Sequence, residues 1–451
     1  MPGAFVFTGM LKKYLLVALI CSAFCSAAQP LTFKFDFGPG KAAKGYQKVD
    51  TNTIFSRERG FGFLPGASLK GIDRKGKDAL RGDFISGDGA FYFSVVLPQG
   101  NYEVTAILGD RQGSSSATIR VENRRLMAGQ VNTANGQVMS VNFTAHIRTP
   151  LIQGTQDKVR LKPRELAYLH WDDQLTIEFN GKDAKVCGLE IRPASPAIPV
   201  VFLAGNSTVV DQAEEPYAAW GQMIPAFFQP GKIAVANYAE SGETLKAFRA
   251  EKRLDKILSQ MKKGDYLFIE FAHNDQKPGG NHLDPFTTYK EMLKYYISEA
   301  RKKGGIPVLV TSMHRRNFDE NNKIINTLGD YPEAVRQTGK EEGVPVIDLN
   351  AMSKVLYEAW GPEASLKAFV HYPANTFPGQ TQKLEDNTHF TPYGAYELAR
   401  CVAEGIKSTV PDLAEYLKKD LPSFNPSAPD PYPAWYWPLS ARISALKPDG
   451  N

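Results

Sequence analysis

Apolar and polar residues alternate with a period of two through residues 91–193, the spacing of half-buried strands. "FYFSVV" and "YEVTAIL" flank the turn-forming Pro98-Gln99-Gly100-Asn101, and "SATIRVENRRL" continues the alternation. "HWDDQLTIEFNGKDAKVCGLEIRP" reads as two further strands around Asn180-Gly181. No long amphipathic helix interrupts them. Residues 30–195 are therefore predicted to form a β-sandwich.

The pattern changes after "RPASPAIP", residues 192–199, a linker rich in proline and alanine. Unbroken apolar runs at 200–204, 233–236, 266–271, 306–310 and 344–347 now alternate with helical periodicity over 244–263, 289–303 and 332–342. A strand without alternation is buried on both faces. Helical crossovers between such strands predict an α/β fold, a parallel sheet between two layers of helices. A last helix is predicted to start at Thr391-Pro392, an N-cap followed by proline at the first helical position. Residues 421–451 contain "PSFNPSAPDPYPAWYWP" and are predicted to be irregular, packed on the surface or forming a lip that contacts sugar.

Composition narrows the reading without redirecting it. The chain has 451 residues, 43% hydrophobic and 22% charged, as expected for a folded protein with a sizeable core. A net charge of +5 with no dominating stripe of Lys and Arg argues against nucleic acid as a partner, and it tolerates an anionic substrate. Residues 1–28 combine Lys12-Lys13, the short apolar run "YLLVALICSAF" and small residues before Ala28. They are predicted to be a signal peptide cleaved after Ala28, which implies a secreted or periplasmic protein with no membrane anchor left after cleavage. Beyond residue 28 the cysteines are Cys187 and Cys401, and a disulfide between them and two buried thiols both stay open.

In a parallel sheet of this kind the site lies beyond the carboxyl ends of the strands. Ser207 follows the first apolar run, Gly242 the second, and His273-Asn274 the third. A serine hydroxyl needs a base to take its proton, usually a histidine oriented by a carboxylate. "LEDNTHFTPYG" supplies Asp386 and His389, in a predicted loop before the last helix. The backbone N–H groups of Ser207 and Gly242 and the side-chain amide of Asn274 are the candidate oxyanion donors. Taken singly, each residue has an ordinary structural explanation as a turn, a cap or a local hydrogen bond. Asn206-Ser207-Thr208 is also a formal glycosylation acceptor, although a strand end in a crevice is a poor place for a glycan. Their ordered recurrence after successive strands favours nucleophilic catalysis, with activity rising as His389 loses its proton.

Three further readings bear on the site. His273 either lines the pocket or is a hydrogen-bonded strand-end residue. Arg315 and Arg316, in "RKKGGIPVLVTSMHRR", either bind substrate carboxylates or form internal pairs. The seven histidines include no pair at ligand-like i,i+4 spacing, so a metal site is not expected. The Gly-x-Ser-x-Gly elbow of the α/β-hydrolases is not met, because Val209 stands at its last position.

The ordered Ser207, Gly242, Asn274 and His389 set, with Asp386, resembles the SGNH hydrolases. "GNSTV", "WGQMIPAFF", "GDYLFIEFAHNDQ", "HRRNFDE", "LGDYPEAVRQ", "VPVIDLN" and "DNTHFTPYGA" are similar to the rhamnogalacturonan acetylesterase branch, over residues 198–420. The N-terminal part resembles the galactose-binding-like β-sandwich that some pectin esterases carry. The resemblance implies a three-layer α/β/α, flavodoxin-like hydrolase fold without a cofactor. It also implies removal of acetyl groups from pectic polysaccharide, rhamnogalacturonan before homogalacturonan, through an acyl-enzyme on Ser207. An acetylxylan esterase and a pectin-binding protein with little or no turnover are the alternatives. The chain departs from the pattern at Asn206, where aspartate is usual, and at Ala272, where glycine is usual. Its glycine block "ESGETLKAF" also replaces an Arg/Ser-rich one.

Overall fold

Phe91, Phe93 and Val95 fall on one face of the strand Phe91–Val96 and are fully buried, as period two requires. Phe93 meets Phe35 and Phe37 of the opposing sheet at centroid separations of 5.1 and 4.8 Å. The two sheets, of seven and five strands, close over this aromatic core and form the expected β-sandwich. These features come from a computed structural model that describes residues 32–449, and the expected signal peptide lies outside the described residues.

Two details of the sandwich differ from the sequence expectation. "SATIRVENRRL" is not one strand. It turns at Glu122 and Arg124, which have φ of 57° and 59°, so that Ser115–Val121 pairs with Arg125–Thr133 as a hairpin. Asn180-Gly181 is not a turn either. It lies inside the strand Gln174–Asp183, where the register with the neighbouring strand shifts, and Gly181 passes so close to the Ser116 carbonyl that a Cβ would sit 2.5 Å from it.

The second half holds five parallel strands, in the spatial order Ala234–Asn237, Val200–Gly205, Tyr266–Glu270, Ile306–Val310 and Val346–Ile347. Separate apolar clusters cover the two faces of the sheet, and Pro392–Thr409 packs on one of them. This is the three-layer α/β/α arrangement. The chain order reverses on either side of Val200–Gly205, which makes that strand's carboxyl end the topological switch point.

The helix expected over 244–263 is two helices, Leu245–Ala250 and Arg253–Gln260. Lys252 adopts a left-handed conformation between them, with φ of 63°. The break turns Arg253 inward to Glu165 of the sandwich side, at 3.0 and 2.5 Å. A helix not foreseen, Leu349–Ala364, is capped by Asp348, which accepts from the Ala351 N–H. Cys187 and Cys401 are both free and buried, one within the sandwich and the other on the buried face of the last long helix, so the disulfide alternative falls away. No helix among the described residues is long and apolar enough to cross a membrane.

The two halves are joined by buried arginines of the hairpin "RVENRR". Arg125 donates to Asp211 at 2.9 and 2.6 Å. Arg124 donates to the carbonyls of Gln212 and Tyr217 at 3.2 and 2.9 Å and pairs with Glu215. Arg120 lies between Glu178 and Glu215, 4.0 Å above the Trp437 ring. The segment 421–449, expected at the surface, is therefore partly interior. Trp437 and Ser440 both donate to Glu215, at 2.9 and 3.1 Å.

A buried ion pair that loses one partner leaves an uncompensated charge in a dry interior. Arg125→Met should destabilise the protein by about 3–5 kcal/mol, read as a lower midpoint in chemical unfolding. An unchanged midpoint would show that the contact between the halves does not depend on this pair.

Candidate active site

Gly242, Ser207 and Asn274 follow the carboxyl ends of three adjacent strands, Ala234–Asn237, Val200–Gly205 and Tyr266–Glu270. Parallel pairing points all three ends the same way, so residues far apart in sequence share one edge. Asp386 and His389 reach that edge from the strand Leu384–Phe390, which pairs antiparallel with Phe369–Tyr372. The expected loop is thus a strand, and its backbone pairing fixes both side chains.

The geometry is a continuous hydrogen-bonded chain. Ser207 Oγ lies 2.9 Å from His389 Nε2, and His389 Nδ1 lies 2.8 Å from Asp386 Oδ2. The other Asp386 oxygen accepts from the backbone N–H groups of Thr388 and His389, at 2.8 and 3.0 Å. Burial opposes ionisation of Asp386, but the His389 hydrogen bond and these backbone donors outweigh it and hold its pKa at about 2. An ionised Asp386 can only accept, so the neutral imidazole carries its proton on Nδ1. Nε2 is then left as the acceptor for the Ser207 hydroxyl. Tyr217 packs edge-on against His389, with centroids 5.9 Å apart. Asn206 is fully buried, which closes the glycosylation reading.

The candidate oxyanion donors are partly engaged. Gly242 has φ of +82°, a conformation that glycine adopts freely. One hydrogen of the Asn274 amide goes to the Glu243 carbonyl at 3.0 Å, which orients the group and leaves the second hydrogen. His273 is buried, and burial with the nearby Arg315 charge keeps it neutral. Neither of its ring nitrogens finds a hydrogen-bond partner among the described residues. Arg315 donates to Thr327 at 3.3 and 3.2 Å and, more weakly, to the His273 carbonyl at 3.4 Å. Arg316 is held away from the triad by Ser365 at 2.8 Å, Asn387 at 3.1 Å and the Pro362 carbonyl.

Asn206 and Ala272 each have a local physical account. The Asn206 side-chain oxygen accepts from Thr208 Oγ1 at 2.8 Å, and Thr208 Oγ1 also lies 3.0 Å from Glu270 Oε1. One hydroxyl proton cannot serve both. When Glu270 is protonated it donates to Thr208, which in turn donates to Asn206. Burial raises Glu270 to about 7, consistent with that direction. An aspartate at 206 would place a buried charge in the same network. Ala272 has φ of 145°, a conformation favouring glycine.

Sequence reading did not find the residues that hold this site. Nothing local to Arg124, Arg125, Asp211 or Glu215 marks them as partners across the fold. The only signal was five polar residues in the six of "RVENRR", too many for one exposed edge of a strand. Glu165, His170 and Glu240 cluster within 4.8 Å of one another as a possible cation-binding group. Arg253 and Arg164 already engage the two carboxylates, at 2.5 and 2.7 Å.

Comparison with known proteins agrees with this geometry. Residues 203–395 match the GDSL-like Lipase/Acylhydrolase family. Residues 33–143 match a galactose-binding-like domain described for β-agarases and YXIM-type esterases. The chain is 48% identical over 219 residues to the rhamnogalacturonan acetylesterase RhgT of Bacillus subtilis, which covers 48% of this chain and 93% of that protein. It is 37% identical over 224 residues to the probable rhamnogalacturonan acetylesterase YesY of the same organism, covering 49% and 98%. The similarity to its uncharacterized esterase YxiM is 25% over 391 residues, 84% of this chain and 92% of that one, and so includes the sandwich.

Two substitutions test the local account. Ala272→Gly should raise stability by about 1 kcal/mol by relieving the backbone. No gain in melting temperature would mean that the turn is unstrained. Glu270 has a folded pKa near 7, above the ordinary 4.5, so the stability it contributes is full below about 4.5 and is lost as pH rises through about 7. The melting temperature of wild type should accordingly fall relative to Glu270→Gln between pH values of about 5 and 8. Parallel curves would rule out a protonated Glu270.

Proposed function

The chain belongs to the GDSL-like lipase/acylhydrolase family, and we propose that it is a serine esterase removing O-acetyl groups from pectic polysaccharide, rhamnogalacturonan first. It is a carboxylic ester hydrolase, as its relatives are. The observation that carries the mechanism is the hydrogen-bonded chain from Ser207 through His389 to Asp386, with both links under 3 Å. The substrate reading rests on the 48% identity to RhgT across nearly all of that protein.

His389 Nε2 takes the Ser207 proton as Oγ attacks the acetyl carbonyl carbon. The carbonyl oxygen becomes an oxyanion, received by the N–H groups of Ser207 and Gly242 and the free hydrogen of the Asn274 amide. The imidazolium, stabilised by ionised Asp386, returns its proton to the sugar oxygen as the C–O bond breaks. The sugar hydroxyl leaves, and acetyl stays on Ser207. Water then attacks this ester with His389 again as base. Acetate departs and the Ser207 hydroxyl is restored. Every proton transfer passes through His389, from Ser207 to the sugar oxygen and from water back to Ser207, so the steps call for no cofactor. The segment 1–28 suits export to where such polymers lie.

Ser207→Ala should lower kcat for p-nitrophenyl acetate and for acetylated rhamnogalacturonan by at least about a thousandfold. Asp386→Asn should lose about 10³–10⁴-fold, because the amide favours the wrong imidazole tautomer. Activity of Ser207→Ala equal to wild type would eliminate the acyl-enzyme. Acetate released from acetylated xylan but not from rhamnogalacturonan would overturn the substrate.

A further inference from the structure

The site is bordered by three positive side chains, each tied to a different residue of the site. Lys277 Nζ donates to Asn274 Oδ1 at 3.0 Å. Arg315 reaches the His273 carbonyl at 3.4 Å. Lys447 Nζ lies 3.6 Å from Asp386 Oδ2. The charges feel one another: after burial, Arg315 and then Lys447 lower the Lys277 pKa. The neighbouring anion is Asp386, whose near oxygen is already committed to His389.

Lys447 comes from a segment that the family match, ending at residue 395, does not include. That segment is anchored on both sides of Lys447. The Glu215 N–H donates to the Arg442 carbonyl and the Ser444 N–H to the Glu215 carbonyl, both at 2.9 Å. Beyond Lys447, Asp449 pairs with Arg164 of the sandwich side. Between these anchors the segment walls a cleft of about 360 Å³ beside the triad, whose other sides include Tyr168, Tyr217 and Ser241. Aromatic rings suit the apolar faces of a pyranose. The half-exposed ammonium at the rim suits an anion.

We propose that Lys447 binds a uronate carboxylate next to the acetylated position and makes this enzyme prefer charged over neutral glycans. The proposal rests on the pectic reading above. A pectic backbone presents a carboxylate on the acetylated sugar or its neighbour, whereas an acetylated neutral glycan presents none. Arg164 and Asp449 close the cleft from the sandwich side, so hydrolase domain, sandwich and C-terminal segment each form part of its wall.

Calorimetric titration with an unacetylated rhamnogalacturonan tetrasaccharide and with its carboxyl-reduced, neutral form tests this without turnover. Wild type should bind the charged form at least about fivefold more tightly, the ratio expected of one partly exposed charge-assisted contact. Lys447→Gln should bring the two affinities to within about twofold, and Lys447→Arg should keep the preference. Equal binding of both sugars by wild type, no binding of either, or a preference that survives Lys447→Gln would each overturn the proposal. Failure of the pectic reading registers separately, as no acetate released from acetylated rhamnogalacturonan by wild type.

Discussion

The candidate active site depends on buried arginines that grip the chain just after Ser207. Asp211 accepts from Arg125 on one oxygen and from Asn237 on the other, at 2.6 and 2.8 Å. Asn237 also binds the Val209 carbonyl at 2.7 Å, so the turn after Ser207 is tied to the end of the neighbouring strand and to the sandwich together. Arg148 completes the contact by donating to the Asn237 carbonyl, with its guanidinium 4.4 Å from the Trp171 ring. Taking these charges out of water is costly, and the ion pairs with Asp211 and Glu215 and the hydrogen bonds to nearby carbonyls offset that cost. The sandwich therefore helps to hold the turn after Ser207 in place. The described residues accordingly form one compact unit although they contain separate cores.

Sequence legibility followed periodicity. The parallel strands could be located because a strand buried on both faces leaves an unbroken apolar run, and Ser207, Gly242 and Asn274 because they follow strand ends in a recognisable order. The hairpin at Glu122–Arg124 was not legible. A turn made by non-glycine residues with positive φ leaves no glycine to mark it. The break at Lys252 escaped for the same reason, since its surroundings are good helix formers and a tertiary ion pair, Arg253 with Glu165, decides the direction of the chain.

The arginines were misjudged for a different reason. Charge in a sequence reads as surface unless its partner is known, and here the partners are about ninety residues away on the other half of the chain. For Arg315 and Arg316 the sequence left two readings open, and the structure engages both guanidinium groups with neighbours inside the protein. Lys447, in a segment expected to be irregular and either packed on the surface or forming a lip that contacts sugar, stands beside Asp386. Local pattern identifies which residues can do chemistry. Only the fold determines which of them face one another.

Two buried carboxylates near Ser207 show how donors, rather than burial, set the charge of the site. Asp386 and Glu270 are 2% and 1% exposed, so desolvation penalises the charged form of each. Asp386 receives two backbone N–H groups and an imidazole N–H, and it is held at about 2. Glu270 receives one indole N–H, at 2.6 Å, and shares one hydroxyl, and it is raised to about 7. The first is therefore a permanent acceptor that fixes the tautomer of His389. The second, when protonated, donates to Thr208, whose hydroxyl then points at Asn206. An uncharged side chain at position 206 fits that arrangement, because the neighbouring strand end already places a carboxyl group in the same dry network.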